Sequence, residues 1–249
     1  MIDLKSPAEI DKIARAGAVL AGLFRELPGH LVPGATTAGL DQVAESFIRD
    51  HDGATPAFKG LYGFPATLCT SVNEEVVHGI PSPRRRLREG DLVSVDCGVR
   101  LDGFYADAAV TFPVGEVARE DEQLLQATRR ALERGIEEAR VGARLGDVSA
   151  AIQEVGESSG LGVIRDLVGH GVGKSPHEDP QVPNWGRRGR GMRLPEGLVI
   201  AIEPMFNAGL PGIETLADAW TVVTADRRRS AHFEHTVAVT GNGPRILTS

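Results

Sequence analysis

The sequence predicts an α+β fold made of two similar halves, each with two helices followed by antiparallel strands. Three observations carry this. The element order runs helix, helix, strands, and then repeats. Gly34-Ala35 recurs as Gly142-Ala143, an offset of 108, at the entry to the second helix of each half. Glu89-Gly90-Asp91-Leu92-Val93-Ser94-Val95-Asp96 recurs as Glu196-Gly197-Leu198-Val199-Ile200-Ala201-Ile202-Glu203, an offset of 107. Gly-Ala and alternating Val/Ile are common, so either match alone could be chance. Two matches at nearly one offset, within one element order, favour duplication. Halves of about 1–115 and 116–249 would bury their sheets together, giving one domain over 1–249 with a pseudo-twofold.

Each element has a local reason. Ser6-Pro7-Ala8-Glu9 is a capping box with Pro at the first helical position, and Ile10, Ile13, Ala14, Leu20 and Ala21 follow helical spacing to about Glu26. Gly17 falls on the same face, where it would let another element pack closely. Val32-Pro33-Gly34 makes a turn before a second helix carrying Leu40, Val43, Ala44, Phe47 and Ile48, with Gly53 beyond its end. Residues 66–72, 91–100 and 104–112 read as strands. Asp102-Gly103 between the last two is a two-residue hairpin turn. Glu120 to Arg140 and Leu145 to Val155 read as helices. Strands return at 163–169, 197–204, 219–225 and 231–240.

Composition narrows the function classes. A chain of 249 residues that is 41% hydrophobic can build a core without disulfide or zinc staples. Its net charge of −7 argues against a nucleic-acid binder. Cys69 and Cys97 stand in unrelated contexts, which suits a reducing cytoplasm. The opening Met1-Ile2-Asp3-Leu4-Lys5-Ser6 lacks the apolar region of a signal peptide, and no stretch is long enough to span a membrane.

The chemistry lies in the carboxylates. Asp96 and Glu203 are expected at equivalent ends of equivalent strands, where a carboxylate is costly unless paired or metal-bound. Taken singly, either could be a wet strand end. Asp107 changes that. With Asp102-Gly103 as the turn, paired residue numbers sum to 205, so Asp96 faces the small Ala109 and Asp107 lies diagonal to Asp96 on the same face. Diagonal neighbours are roughly 7–8 Å apart at the backbone. Two carboxylates so placed repel unless a cation lies between them. Glu234 should match Asp107 in the second half, and His170 stands in the flexible run Gly169-His170-Gly171-Val172-Gly173. Four carboxylates and one imidazole suit a dinuclear Mn, Fe, Co or Zn site better than a thiolate zinc site.

These residues resemble a known family. Asn73-Glu74-Glu75-Val76-Val77-His78-Gly79-Ile80-Pro81 is similar to the substrate loop of type I methionine aminopeptidases. So are the Asp96/Asp107 hairpin, Gly169-His170-Gly171 with His177-Glu178-Asp179-Pro180, Ile202-Glu203-Pro204-Met205, and Glu234-His235-Thr236. The resemblance covers the chain from its first helix to its end and implies the "pita-bread" fold. It implies that Asp96 holds one divalent metal ion, that Asp107 and Glu234 bridge two ions, and that His170 and Glu203 complete the other. It further implies Glu203 as acid/base, His177 as donor to the scissile carbonyl, and His78 as a contact to the peptide beyond the first residue. Phe64, Cys69 and Trp220 are implied to line the first-residue pocket. Leu61-Tyr62 stands where the family commonly has Tyr-His, and Pro176 precedes His177 where some members have an aromatic.

The 31-residue spacing of Glu203 and Glu234 leaves no room for the type II helical insertion, and no cysteine-rich extension precedes the first helix, so the resemblance is to the compact bacterial form. The implied activity is removal of the first Met from nascent polypeptides, preferentially before a small residue, by a cytoplasmic monomer. The same ligand set would serve an X-Pro aminopeptidase, which usually carries a further N-terminal domain. A non-catalytic ribosome- or peptide-binding member would have lost ligands. His30, His51, His232 and His235 read as ordinary surface or core histidines. Arg84-Arg85-Arg86 and Arg227-Arg228-Arg229 read as solvated runs, with transient ribosome docking as the sharper alternative.

Overall fold

The computed structural model describes residues 2–249; Met1 lies outside them. Four helices follow the predicted order: α1 (Pro7–Glu26), α2 (Thr37–Arg49), α3 (Arg119–Glu138) and α4 (Leu145–Ser158). The capping box forms. The Glu9 N–H donates to the Ser6 hydroxyl at 3.3 Å, and the Ser6 N–H donates to the Glu9 carboxylate at 2.9 Å. Gly17 serves the close approach expected of it: a Cβ there would stand 1.9 Å from the Leu247 carbonyl oxygen. The C-terminal segment therefore crosses α1 where no other residue would let it.

Nine strands form one antiparallel sheet. Its main path runs Thr55–Pro56, Leu92–Leu101, Phe104–Pro113, Glu234–Thr240, Val199–Ile202, Val168–Gly171, Glu178–Pro183. Leu68–Val72 pairs beside Leu92–Leu101, and Gly243–Ile246 beside Glu234–Thr240. The halves join at the centre of this sheet through Glu234↔Ala109 and His235↔Ala108, and in a smaller sheet through Val222↔Val77 and Val223↔Glu75. Thr236 strengthens the seam. Its hydroxyl accepts from the Asp107 N–H at 3.0 Å and donates to the Asp107 carbonyl at 2.8 Å. Each half has its own core. One gathers Ile13, Leu20, Leu40 and Ile48 with Val93, Val95 and Val99; the other gathers Leu124, Leu132 and Ile152 with Ile200, Ile202 and Val237. Each such side chain contributes about 1.5–3 kcal/mol by leaving water.

The pseudo-twofold is visible in individual hydrogen bonds. The Gly34 N–H donates to Leu87 O at 2.8 Å, Leu87 N–H to Ala35 O at 2.8 Å, and the Arg86 guanidinium to Gly34 O at 3.0 Å. In the second half Gly142 donates to Leu194 O at 2.9 Å, Leu194 to Ala143 O at 2.8 Å, and Arg193 to Gly142 O at 3.1 Å. Both glycines have left-handed backbones, with φ of 91° and 84°, which explains why this position kept Gly in each half.

The structure also corrects the sequence reading. The stretch expected as one strand over 163–169 is two short ones, Gly162–Val163 and Val168–Gly171, in different sheets. The 231–240 strand breaks at Phe233 into Ser230–His232 and Glu234–Thr240. Only Val222–Thr224 of 219–225 is strand, because Ala219 has a left-handed φ of 64°. Glu178–Pro183, with its two prolines, was not foreseen as a strand. It lies at one end of the sheet path, where missing N–H donors cost least. Asp96 is not at a strand end but inside a ten-residue strand, whereas Glu203 does follow its strand. The arginine runs are less free than expected. Arg229 donates to Gly90 O at 2.7 Å and to Asp121 at 2.8 Å, and Arg227 pairs with Glu214 at 2.8 Å.

Candidate metal centre and substrate cavity

The hairpin register is the predicted one. Leu101 faces Phe104, Asp96 faces Ala109 and Gly98 faces Asp107, with no bulge. Asp102 and Gly103 both have left-handed φ, 52° and 80°, as a tight two-residue turn requires. Ala109 pairs with Asp96 on one side and Glu234 on the other. Three neighbouring strands thus present Asp96, Glu234 and, two residues on, Asp107 to one face. Oxygens from these three carboxylates lie within 4.8 Å of one another, and so do ligand atoms of His170, Glu203 and Glu234. Asp107, His170 and His177 form a third such group.

The donor set fits a pair of cations. One oxygen each of Asp96, Asp107 and Glu234 is buried and accepts no hydrogen bond. Burial, reinforced by the neighbouring carboxylates, pushes Asp96, Glu203 and Glu234 well above the usual carboxylate range; burial raises Asp107 to about 7. A carboxylate cluster this crowded wants positive charge. His170 shows where. Its Nδ1 lies 2.9 Å from the Gly171 carbonyl, which can only accept, so Nδ1 carries the proton. The Nε2 lone pair then faces Glu203 at 3.6 Å and Asp107 at 4.0 Å. A lone pair aimed at two carboxylates is repulsive unless a cation sits among them. The second imidazole nitrogen held by a carbonyl is also the usual support of a metal-binding His. Burial holds His170 down to about 4, keeping it neutral.

All ten residues singled out from the sequence line one cavity of about 300 Å³. Asp96, Asp107, His170, Glu203 and Glu234 form its acidic end. Phe64 meets Trp220 edge-on at 5.1 Å, and His78 meets Trp220 edge-on at 6.3 Å. With the buried Cys69 they give a mainly apolar, polarisable wall. His177 meets His170 edge-on at 4.5 Å. Burial lowers both His78 and His177, so both are neutral near pH 7. Their strand and loop settings differ: His78 has a left-handed φ of 59° in the loop after Glu75–Val77, while His177 precedes Glu178–Pro183.

Two further cavity residues bear on the site. His232, taken from the sequence as an ordinary histidine, is 1% exposed, has no hydrogen-bond partner on either ring nitrogen, and stands 3.8 Å from Glu203. The signal was parity: it lies two residues before Glu234, as Ala109 lies two after Asp107. Tyr62 is 75% exposed, with φ of 50°, and stacks on His177 at 6.0 Å and 17°. The departure at Leu61-Tyr62 therefore places an aromatic ring over the cavity mouth.

A fold of two related halves around a mixed Asp/His/Glu cluster defines a metallopeptidase, and the chain belongs to metallopeptidase family M24, which it matches over residues 11–241. Within that family it is most like methionine aminopeptidases. It is 54% identical to the methionine aminopeptidase of Clostridium perfringens, over 100% of this chain and 99% of that one. It is 48% identical to methionine aminopeptidase 1 of Mycobacterium tuberculosis, over 100% and 95%. The crystal structure of the Thermotoga maritima methionine aminopeptidase superposes with a TM-score of 0.98 at 47% identity, covering 100% of both chains. The prolidase of Pyrococcus furiosus, at 23% identity and a TM-score of 0.79, shares the pita-bread fold, and this chain covers 65% of it. Among the described residues no helix is long and apolar enough to cross a membrane.

Proposed function

We propose that this chain removes the N-terminal methionine from nascent polypeptides, preferentially where the second residue is small. The observation that carries the reading is the cavity itself, in which the acidic cluster of Asp96, Asp107, His170, Glu203 and Glu234 adjoins a wall of Phe64, Cys69 and Trp220. The full-length likeness to methionine aminopeptidases supports it.

In this reading Asp96 would hold one ion, Asp107 and Glu234 would bridge two, and His170 and Glu203 would complete the second. The oxygen-rich set would accept Mn, Fe, Co or Zn, with availability in the cell deciding. When bound, such a pair supplies Lewis acidity and a water of lowered pKa. The protein does the rest. Phe64, Cys69 and Trp220 enclose the Met side chain and exclude water from it. Glu203 takes the proton of the attacking water on its carboxylate and returns it to the leaving amine. His177, neutral, donates to the carbonyl oxygen as negative charge develops there. His78 steadies the peptide beyond the first residue.

The reading includes a cytoplasmic monomer, one catalytic domain over 1–249, and transient contact with ribosomes. It contains no specific nucleic-acid site and no membrane attachment. Comparing hydrolysis of Met-Ala-Ser and Ala-Pro peptides by Mn- or Co-loaded protein tests it. Release of Met from the first, with little turnover of the second, is expected. The reverse order would assign an X-Pro activity, and inertness toward both would leave only binding.

A further inference from the structure

A lysine near the N terminus is buried as few lysines are. The Lys5 side chain is 1% exposed, and its ammonium has three acceptors: Glu178 Oε2 at 2.6 Å, the Asp3 carbonyl at 2.8 Å and Asp3 Oδ2 at 3.4 Å. A charge is kept this dry only when its partners hold it well. The slot around it is built for it. A Cβ on Gly173 would stand 2.2 Å from Lys5 Cε, and a Cβ on Gly197 2.6 Å from the Lys5 carbonyl oxygen. A side chain at Gly173 would displace the Lys5 ammonium, and Gly197, with a φ of 85°, leaves room for the Lys5 backbone.

What Lys5 joins is the point. Its backbone N–H donates to Gly197 O at 2.7 Å, at the root of the strand that leads to Glu203. Its side chain crosses to Glu178, the residue after His177. Glu178 spends its other oxygen on the Ser175 N–H at 3.0 Å, closing the 173–178 loop on itself. The same loop is tied to the hairpin, since Tyr105 N–H donates to Gly173 O at 2.8 Å, two residues before Asp107. The His177 ring stacks with Tyr62, meets His170 edge-on, and has a nitrogen within 4.8 Å of an Asp107 carboxylate oxygen. Its backbone leads directly into Glu178, whose main chain pairs with Gly171 and whose carboxylate is held by Lys5.

We infer that Lys5 is a positioning residue for the reaction: through Glu178 it fixes His177 relative to the strands carrying Glu203 and Asp107. This rests on the reading of His177 as donor to the carbonyl oxygen. Misplacing a catalytic group by about 1 Å can cost up to ~100-fold in rate. Lys5→Met keeps the apolar stem and removes the charge. Glu178→Gln keeps shape and acceptor and removes the charge from the other side, should Lys5→Met fold poorly.

The test measures kcat and KM of Mn-loaded wild type and variants on Met-Ala-Ser, alongside amide hydrogen exchange of the metal-free proteins. Each variant is expected to lose about tenfold in kcat with KM within twofold. Exchange at 173–178 should accelerate at least tenfold while the 92–113 hairpin stays protected. The double variant should be no worse than the worse single one, as for two members of one unit. Wild-type kcat in a folded variant, a change in KM alone, or exchange that rises equally in the hairpin would overturn the proposal. If wild type itself releases no Met, the functional reading fails, and the exchange pattern still decides whether Lys5 locates the loop.

Discussion

The two halves share a frame and differ in how they use it. In the first, the strands Leu92–Leu101 and Phe104–Pro113 pair over ten residues through a two-residue turn. In the second, the equivalent strands Val199–Ile202 and Glu234–Thr240 pair over four residues and are separated by a 31-residue excursion from Glu203 to Glu234. The continuous hairpin gives a rigid floor that sets Asp96 and Asp107 by register alone. The interrupted one frees Glu203 from the strand ladder, with its carbonyl accepting from the Asn184 side chain at 3.0 Å instead, and the excursion brings Trp220 and His232 to the cavity wall. The first half contributes Asp96 and Asp107 to the cluster, the second contributes His170, Glu203 and Glu234, and both halves line the cavity.

The sharpest way to break this contrast is Glu203→Gln. Turnover of Met-Ala-Ser should fall by ~10²–10⁴-fold, the span assigned to a lost acid/base, with an unchanged circular dichroism spectrum. Near-normal kcat in metal-loaded protein would move the proton carrier elsewhere. The hairpin is challenged by Ala109→Val, which puts two methyl groups between Asp96 and Glu234. Metal affinity by calorimetry should drop at least tenfold, with an overpacking cost of about 1–3 kcal/mol in denaturant unfolding. Unchanged affinity would show that the seat has more room than the register implies.

Acidity probes both halves together. In metal-free protein Asp107 is raised from 3.8 to about 7. Between those values the folded chain binds more protons than the unfolded one, so stability should fall as pH rises through that window. Metal displaces those protons. The rise in Tm on adding Mn should therefore be larger at pH 8 than at pH 5; equal rises would mean the cluster is not the binding site. The smallest effect sharpens the symmetry. Gly34→Ala and Gly142→Ala meet open space but a left-handed backbone, so each should cost about 1–2 kcal/mol, and nearly the same amount.

The hairpin was readable because its turn is chemically explicit. Asp102-Gly103 fixes the register, and register fixes which carboxylates share a face. The helices were readable from Ser6-Pro7-Ala8-Glu9 and from period. The second half was harder. Phe233 breaks a run that looks continuous as sequence, and the chain changes sheets there between His232 and Glu234. Val163 and Val168 look like ends of one apolar strand, but the segment between them crosses from one sheet to another. Lys5 gave no local sign at all, because its partner lies 173 residues away and ion pairs of that span leave no trace in spacing.

The seam between the halves bears on how the enzyme is made. Asp96 and Asp107 can meet as soon as a local hairpin closes, a microsecond event. The remaining ligands arrive only when the second half docks across Glu234↔Ala109 and His235↔Ala108. No nascent fragment ending before Glu234 can offer a complete pair of seats. In the proposed reading, the full set of ion-holding residues therefore forms only once the second half has docked on the first.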